Sequence, residues 1–163
     1  MALVDYFLKI EGISGESVDS KHKGEIELES FSWGETQLAP ASGAGSGAGA
    51  GKVQMQDLHF VSRINKASPR LMLACASGKH LKEAILTARK AGKAAQEFLI
   101  IKMRDILVSS YQTGGSHESD ALPLEEVAFN FGQIELEYRP QKADGSLDAP
   151  VKAGWDKIVN KAI

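Results

Sequence analysis

A single cysteine, Cys75, is all the thiol chemistry this chain has, so it can form no internal disulfide and cannot by itself make a zinc site. The fold must rest on packing alone. Cys75 sits among Leu71, Met72, Leu73 and Ala76 and reads as a core thiol rather than a nucleophile. An excess of one charge is also missing: 19 Lys and Arg stand against 21 Asp and Glu, a formal charge of -2 with no long run of either sign. That balance gives no basic footprint for nucleic acid. The longest unbroken apolar run, Leu71 to Ala76, is far shorter than the roughly 20 residues that span a bilayer, so no transmembrane helix and no membrane insertion are expected. The first ten residues have no basic n-region, and Asp5 and Lys9 interrupt any apolar h-region, so no classical export signal is expected and synthesis in the cytoplasm follows most simply.

Catalytic patterns are equally scarce. Four histidines (His22, His59, His80, His117) show no i, i+4 pairing and no neighbouring cysteine couple; they read as solvated surface residues with no metal site. No Gly-x-Ser-x-Gly elbow is present. Glu25, Glu27, Glu29, Glu125, Glu126, Glu135 and Glu137 could imitate a glycosidase pair but read as alternating acids on the wet face of a sheet. Neither an enzyme nor a cofactor is expected.

What is present is an ordinary globular composition, 43% hydrophobic and 25% charged over 163 residues, which suits one domain with a real core. Only the glycines stand out: of 16, five (Gly43, Gly45, Gly47, Gly49, Gly51) alternate with small residues in one stretch. A phosphate loop before Lys52 needs Gly at position 46 and Ser or Thr at 53, where Ser46 and Val53 stand. The looser dinucleotide pattern Gly43, Gly45, Ala48 neither follows a βα crossover pattern nor opens a helix. The stretch therefore reads as a small-residue loop.

Around it the chain alternates. Residues 3–10 are rich in β-formers, and from Glu25 onward Ile26 and Leu28 oppose Glu25, Glu27 and Glu29. Val53 and Met55 share one parity, Leu58 and Phe60 the other, which predicts a β-bulge at Gln56-Asp57. Val127, Phe129 and Phe131 against Ile134, Leu136 and Tyr138 predict another at Gly132. Long bulged strands are what a closed sheet needs, so the expected fold is mainly β: a small antiparallel β-barrel. One short helix is punctuated by Ser68 as cap, Pro69 at the first position and Gly78 as stop, and is expected to pack at one end of the barrel. Residues 80–91 and 96–110 are left open between helix and strand. Trp155, Ile158 and Ile163 suggest a docked tail.

Beyond these patterns, the strings Gly15-Glu-Ser-Val-Asp-Ser-Lys-His22, Ser30-Phe-Ser-Trp-Gly34, Gln56-Asp-Leu-His-Phe60, Lys66-Ala-Ser-Pro-Arg-Leu71, Ala74-Cys-Ala-Ser-Gly-Lys-His80 and Pro140-Gln-Lys-Ala-Asp-Gly145 closely resemble the hemolysin-coregulated protein family, the tube subunits of the bacterial type VI secretion system. The resemblance runs in order through nearly the whole chain. It implies a single tube-subunit domain over 1–163, strand for both open stretches, hexameric rings that stack into a hollow tube, and export from the bacterial cytoplasm without a signal peptide to the extracellular space or a target cell. The implied partners are further copies of the chain, a contractile sheath, a tip spike protein and small effector proteins held in the lumen. It places Ser30 and Ser32 near the lumen; by parity these serines continue the Ile26 and Leu28 face if no bulge intervenes. It also implies that the loop at about 37–51, with Ser42, Gly43, Gly45, Ser46, Gly47, Gly49 and Gly51, reaches a neighbouring ring. Ordering so many glycines is entropically costly, so stacking is expected to be weak in dilute solution. The rival expectation is a monomeric small-ligand-binding barrel with a buried pocket.

Overall fold

The structure is a computed structural model that describes residues 3–38, 52–92 and 95–163. Alternation of β-formers gives β1 (Val4–Ile10) and β2 (Ile26–Ser32), followed by the short β3 (Glu35–Thr36) and β4 (Gln54–Met55) and then β5 (Leu58–Arg63). After the helix α1 (Ser68–Ser77) come β6 (Leu81–Lys90), β7 (Gln96–Gly114), β8 (Leu124–Tyr138), β9 (Val151–Asp156) and β10 (Lys161–Ala162).

Strands β8, β5, β2, β1, β6 and β7 lie side by side in that order, every pair antiparallel, and β7 pairs again with β8 to close the sheet. This is the small antiparallel barrel that the sequence predicts, and it has six strands. Closure removes all but the outermost edges, and β9 and β10 extend β8 beyond the barrel. Both stretches left open between helix and strand are strands. In β6 the helix-favouring Ala84, Leu86 and Ala88 are wholly buried between β1 and β7, so ladder bonds on both sides override propensity.

The barrel interior is filled by side chains. Leu8, Leu58, Leu86, Met103, Ile106 and Phe129 are fully buried, and Phe60 meets Phe129 edge to face at 5.2 Å. Helix α1 adds Ala67, Leu71 and Ala74 to the same core and packs on β7. Its stop is the expected one, Gly78 at φ 68, a left-handed position that glycine takes without a Cβ penalty. Its start differs: Ala67 occupies the cap, and the Ser68 hydroxyl instead accepts the Asn65 backbone N–H at 2.9 Å while Asn65 Oδ1 accepts that of Ala67.

The two predicted bulges are corrected. At Gln56-Asp57 the strand simply ends, and β4 pairs with β3 while β5 joins the barrel. The parity change at Gly132 is real, but the register runs unbroken from Arg104↔Gln133 to Ile106↔Phe131, because Asp105 (φ 54) opposes Gly132 and both strands turn together. A Cβ on Gly132 would lie 2.9 Å from Ile158 and 3.1 Å from the Asp105 carboxylate. Real register shifts lie at Glu29 in β2 and at Phe98 and Ser109 in β7, none of them marked by glycine. The tail docks through β9 and half-buried Trp155, whereas Ile158 and Ile163 stay exposed.

Candidate functional site

The extra residue at Glu29 decides where the candidate serines point. Leu28 pairs with Ser62 but Ser30 with Val61, so the inward face passes from Ile26 and Leu28 to Phe31. Phe31 packs edge to face on Tyr6 at 5.4 Å, and Trp33 tilts against Phe131 at 6.3 Å. The parity that groups Ser30 and Ser32 with Ile26 and Leu28 is therefore overturned; both serines are exposed on the outer wall. There Ser32 pairs with exposed His59, and the wall carries an ion pair between Arg63 and Glu29 at 3.2 Å. It is a polar, hydrogen-bonding surface. The candidate stacking residues Ser42, Gly43, Gly45, Ser46, Gly47, Gly49 and Gly51 lie outside the described residues.

Beyond Ser32 the chain builds a cleft of about 480 Å³ between the β3–β4 ribbon and the β8–β9 extension. Trp33, Val53, Met55, Ile134, Leu136 and Trp155 form its apolar wall, with Glu35, Gln37 and Asn160 supplying polar groups. Among the described residues, the indole N–H groups of Trp33 and Trp155 find no acceptor. Gly154 is required by close packing, since a Cβ there would lie 2.9 Å from Glu135 and Ile163 side chains.

Two further polar clusters are buried, against expectation. Glu125 is 0% exposed and accepts from the Ser62 hydroxyl at 2.9 Å, the Tyr111 hydroxyl at 2.8 Å and the Asn65 amide at 3.4 Å. Burial, with that hydrogen bond second, pushes the Tyr111 phenol up to about 12. The sequence held the signal: Glu125 shares inward parity with Val127 and Phe129, and Ser62 with Leu58 and Phe60. The second cluster ties residues 13–25 to the barrel. Arg89 makes a two-pronged pair with Asp19, at 3.0 and 2.7 Å, and reaches Asp5 at 3.2 Å, its guanidinium lying over the Phe7 ring. The Arg89 hydrogen bond holds the Asp19 carboxyl well below the usual carboxylate range, and Asp19 in turn raises Arg89. His22, expected at the surface, is 6% exposed and bridges Glu25 and Glu97.

Chemically, these clusters bind the chain to itself. Among the described residues no group of three His, Cys, Asp or Glu side chains is placed to hold a metal ion, and Cys75 is half-buried against the core. His80 and Asp105 pair at 2.8 Å beside a smaller cleft of about 280 Å³ with Lys157, but both are largely exposed. Among the described residues no helix is long and apolar enough to cross a membrane.

A family model described as "Type VI secretion system effector, Hcp" matches residues 7–138. Protein hcp1 of Pseudomonas aeruginosa is 51% identical over 155 residues, covering 94% of each chain. The crystal structure of Hcp1 from Salmonella typhimurium superposes with a TM-score of 0.80 at 36% identity, over 99% of this chain and 100% of that one. The structure of a type six secretion system protein gives 0.90 at 29% identity, over 98% and 99%. By sequence and by fold the chain belongs to the Hcp family, the tube proteins of the type VI secretion system.

Proposed function

We propose that this chain forms hexameric rings that stack into the inner tube of a type VI secretion system, and that the rings hold small effector proteins in their lumen. The observation that carries this is the match to protein hcp1, 51% identical over 155 residues with 94% of both chains covered. A ring follows from a heterologous interface whose rotation closes, and needs no catalytic group. In this reading the Ser30 and Ser32 wall faces the lumen, the loop at about 37–51 meets the next ring, a sheath surrounds the tube, a spike caps it, and the subunit leaves the cell with the tube. The polar outer wall of β2 and β5 supports such a contact, because exposed hydroxyls and charges can hold a folded protein without a deep pocket. The rival reading, a monomeric small-ligand barrel, has against it the side chains that fill the barrel interior.

Native mass spectrometry at micromolar concentration tests the ring: the expected species has six times 17.5 kDa, and a stable species of 17.5 kDa alone overturns it. In the same preparation Ser32→Gln, a change on an exposed position, is expected to leave the ring mass unchanged and to lower retention of a co-expressed effector. Unchanged retention removes Ser32 from the lumen contact.

A further inference from the structure

We propose that His22 is the pin of a proton-dependent clasp that holds residues 13–25 against the outside of β1, β6 and β7. The ring lies flat on Phe7, centroids 4.3 Å apart with an interplanar angle of 8°. Its Nδ1 is 2.8 Å from Glu25 Oε2 and its Nε2 is 2.7 Å from Glu97 Oε1. An ionised carboxylate only accepts hydrogen bonds, and a neutral imidazole has one N–H to donate. Both bonds therefore form only when both ring nitrogens carry protons. With one proton missing, a nitrogen lone pair of this buried ring faces a carboxylate oxygen at hydrogen-bond distance, and one arm of the bridge is lost.

The charged groups around the ring come from every element packed on it. Glu25 stands at the entry to β2, Glu97 on β7, Arg89 on β6 over the same Phe7, and Asp5 on β1 behind Arg89. Asp19, in the clasp itself, accepts the backbone N–H of His22 and of Lys21. The Arg89–Asp19 pair is a second anchor that does not change between pH 5.5 and 8.5, because Arg89 stays charged and Asp19 is held ionised far into acid. So one anchor is constant and one depends on a proton. The clasp tightens as pH falls and slackens as it rises, and what it covers is an aromatic side chain, Phe7, only 3% exposed on the outer side of β1. This goes beyond the tube reading and stands whether or not rings form.

The test compares thermal unfolding at pH 5.5 and 8.5, at one protein concentration and one native mass, with ¹⁵N spectra of the histidine rings. In the wild type both nitrogens of the His22 ring are expected to carry protons at pH 5.5. His22→Gln is expected to lower Tm by several degrees at pH 5.5 and by clearly less at 8.5. Glu97→Gln offers an amide N–H to the bare ring nitrogen, so it should hold the clasp without the second proton and narrow the wild-type difference between the two pH values. It also serves if His22→Gln fails to fold, since Glu97 is partly exposed. One ring nitrogen without a proton at pH 5.5, equal losses from His22→Gln at both pH values, or an undiminished difference in Glu97→Gln overturns the proposal.

Discussion

Single residues are where this barrel departs from a plain alternation of inside and outside. Glu125 puts a carboxylate on the inward face, and three donors meet it there, so its removal is felt through them. Glu125→Ala leaves the Tyr111 and Ser62 hydroxyls without their carboxylate acceptor and takes one of two acceptors from the Asn65 amide, and should cost about 2–4 kcal/mol in urea unfolding, with Glu125→Gln, which keeps an acceptor and the volume, costing about 1 kcal/mol. The same cluster predicts an alkaline limb. A phenol raised from its ordinary value near 10 to about 12 favours the folded state below pH ~10, and that contribution is lost as pH climbs through 12. Tyr111→Phe should therefore flatten the loss of stability between pH 10 and 12 relative to the wild type, and identical slopes would remove Tyr111 as its source. Glu125 was legible through its parity with Val127 and Phe129, although its charge argued for the wet face. His22 was not legible, because the partner that buries it, Glu97, lies 75 positions away on another strand.

At the level of elements, alternation located β2, β5 and β8, because burial on one face imposes a period of two, but it left β6 and β7 open between helix and strand, where helix-favouring residues blur the pattern. It failed where a strand changes face. Parity shows that a change occurs but not whether a bulge, a strand end or a paired turn of two strands produces it; Gln56-Asp57 and Gly132 turned out to be the second and third of these. The shift at Glu29 had no glycine to announce it, and it reverses the side on which Ser30 and Ser32 lie. The 13–25 segment depends instead on contact. A Cβ on Gly15 would sit 2.6 Å from the Glu25 carbonyl oxygen, and that oxygen already accepts the Ser17 N–H, so the backbone there cannot easily yield. Gly24 has φ +77 and open space around it. Gly15→Ala is expected to cost about 1–3 kcal/mol and to speed hydrogen exchange across residues 15–25, whereas Gly24→Ala pays chiefly the left-handed conformation, about 1 kcal/mol. Equal losses of Tm with unchanged local exchange would show that the segment is not held by this close approach.

For the whole molecule, closure and its extensions differ in how they are held. The β7–β8 ladder runs from Leu99↔Tyr138 to Gly114↔Leu124 and joins the two ends of the barrel sheet, so its amides can open only if the barrel does. The β3–β4 ribbon rests on the pairs Glu35↔Met55 and Thr36↔Gln54, and β10 on Lys161↔Asp156 and Ala162↔Trp155. These flank the cleft whose wall leaves Leu136 43% exposed and two indole N–H groups without acceptors among the described residues. Hydrogen exchange followed by mass spectrometry should therefore find β7 and β8 protected to the level of global unfolding, and β3, β4 and β10 slower than open chain but faster by orders of magnitude than the barrel in any species of monomer mass. Rings, if they form across this cleft, must slow β3, β4 and β10 specifically, because a neighbour seated there removes the local opening without touching the barrel. Protection that rises with ring formation elsewhere, while these three strands stay fast, places the subunit contact on another face. Barrel amides exchanging as fast as β10 would contradict the closed ladder itself.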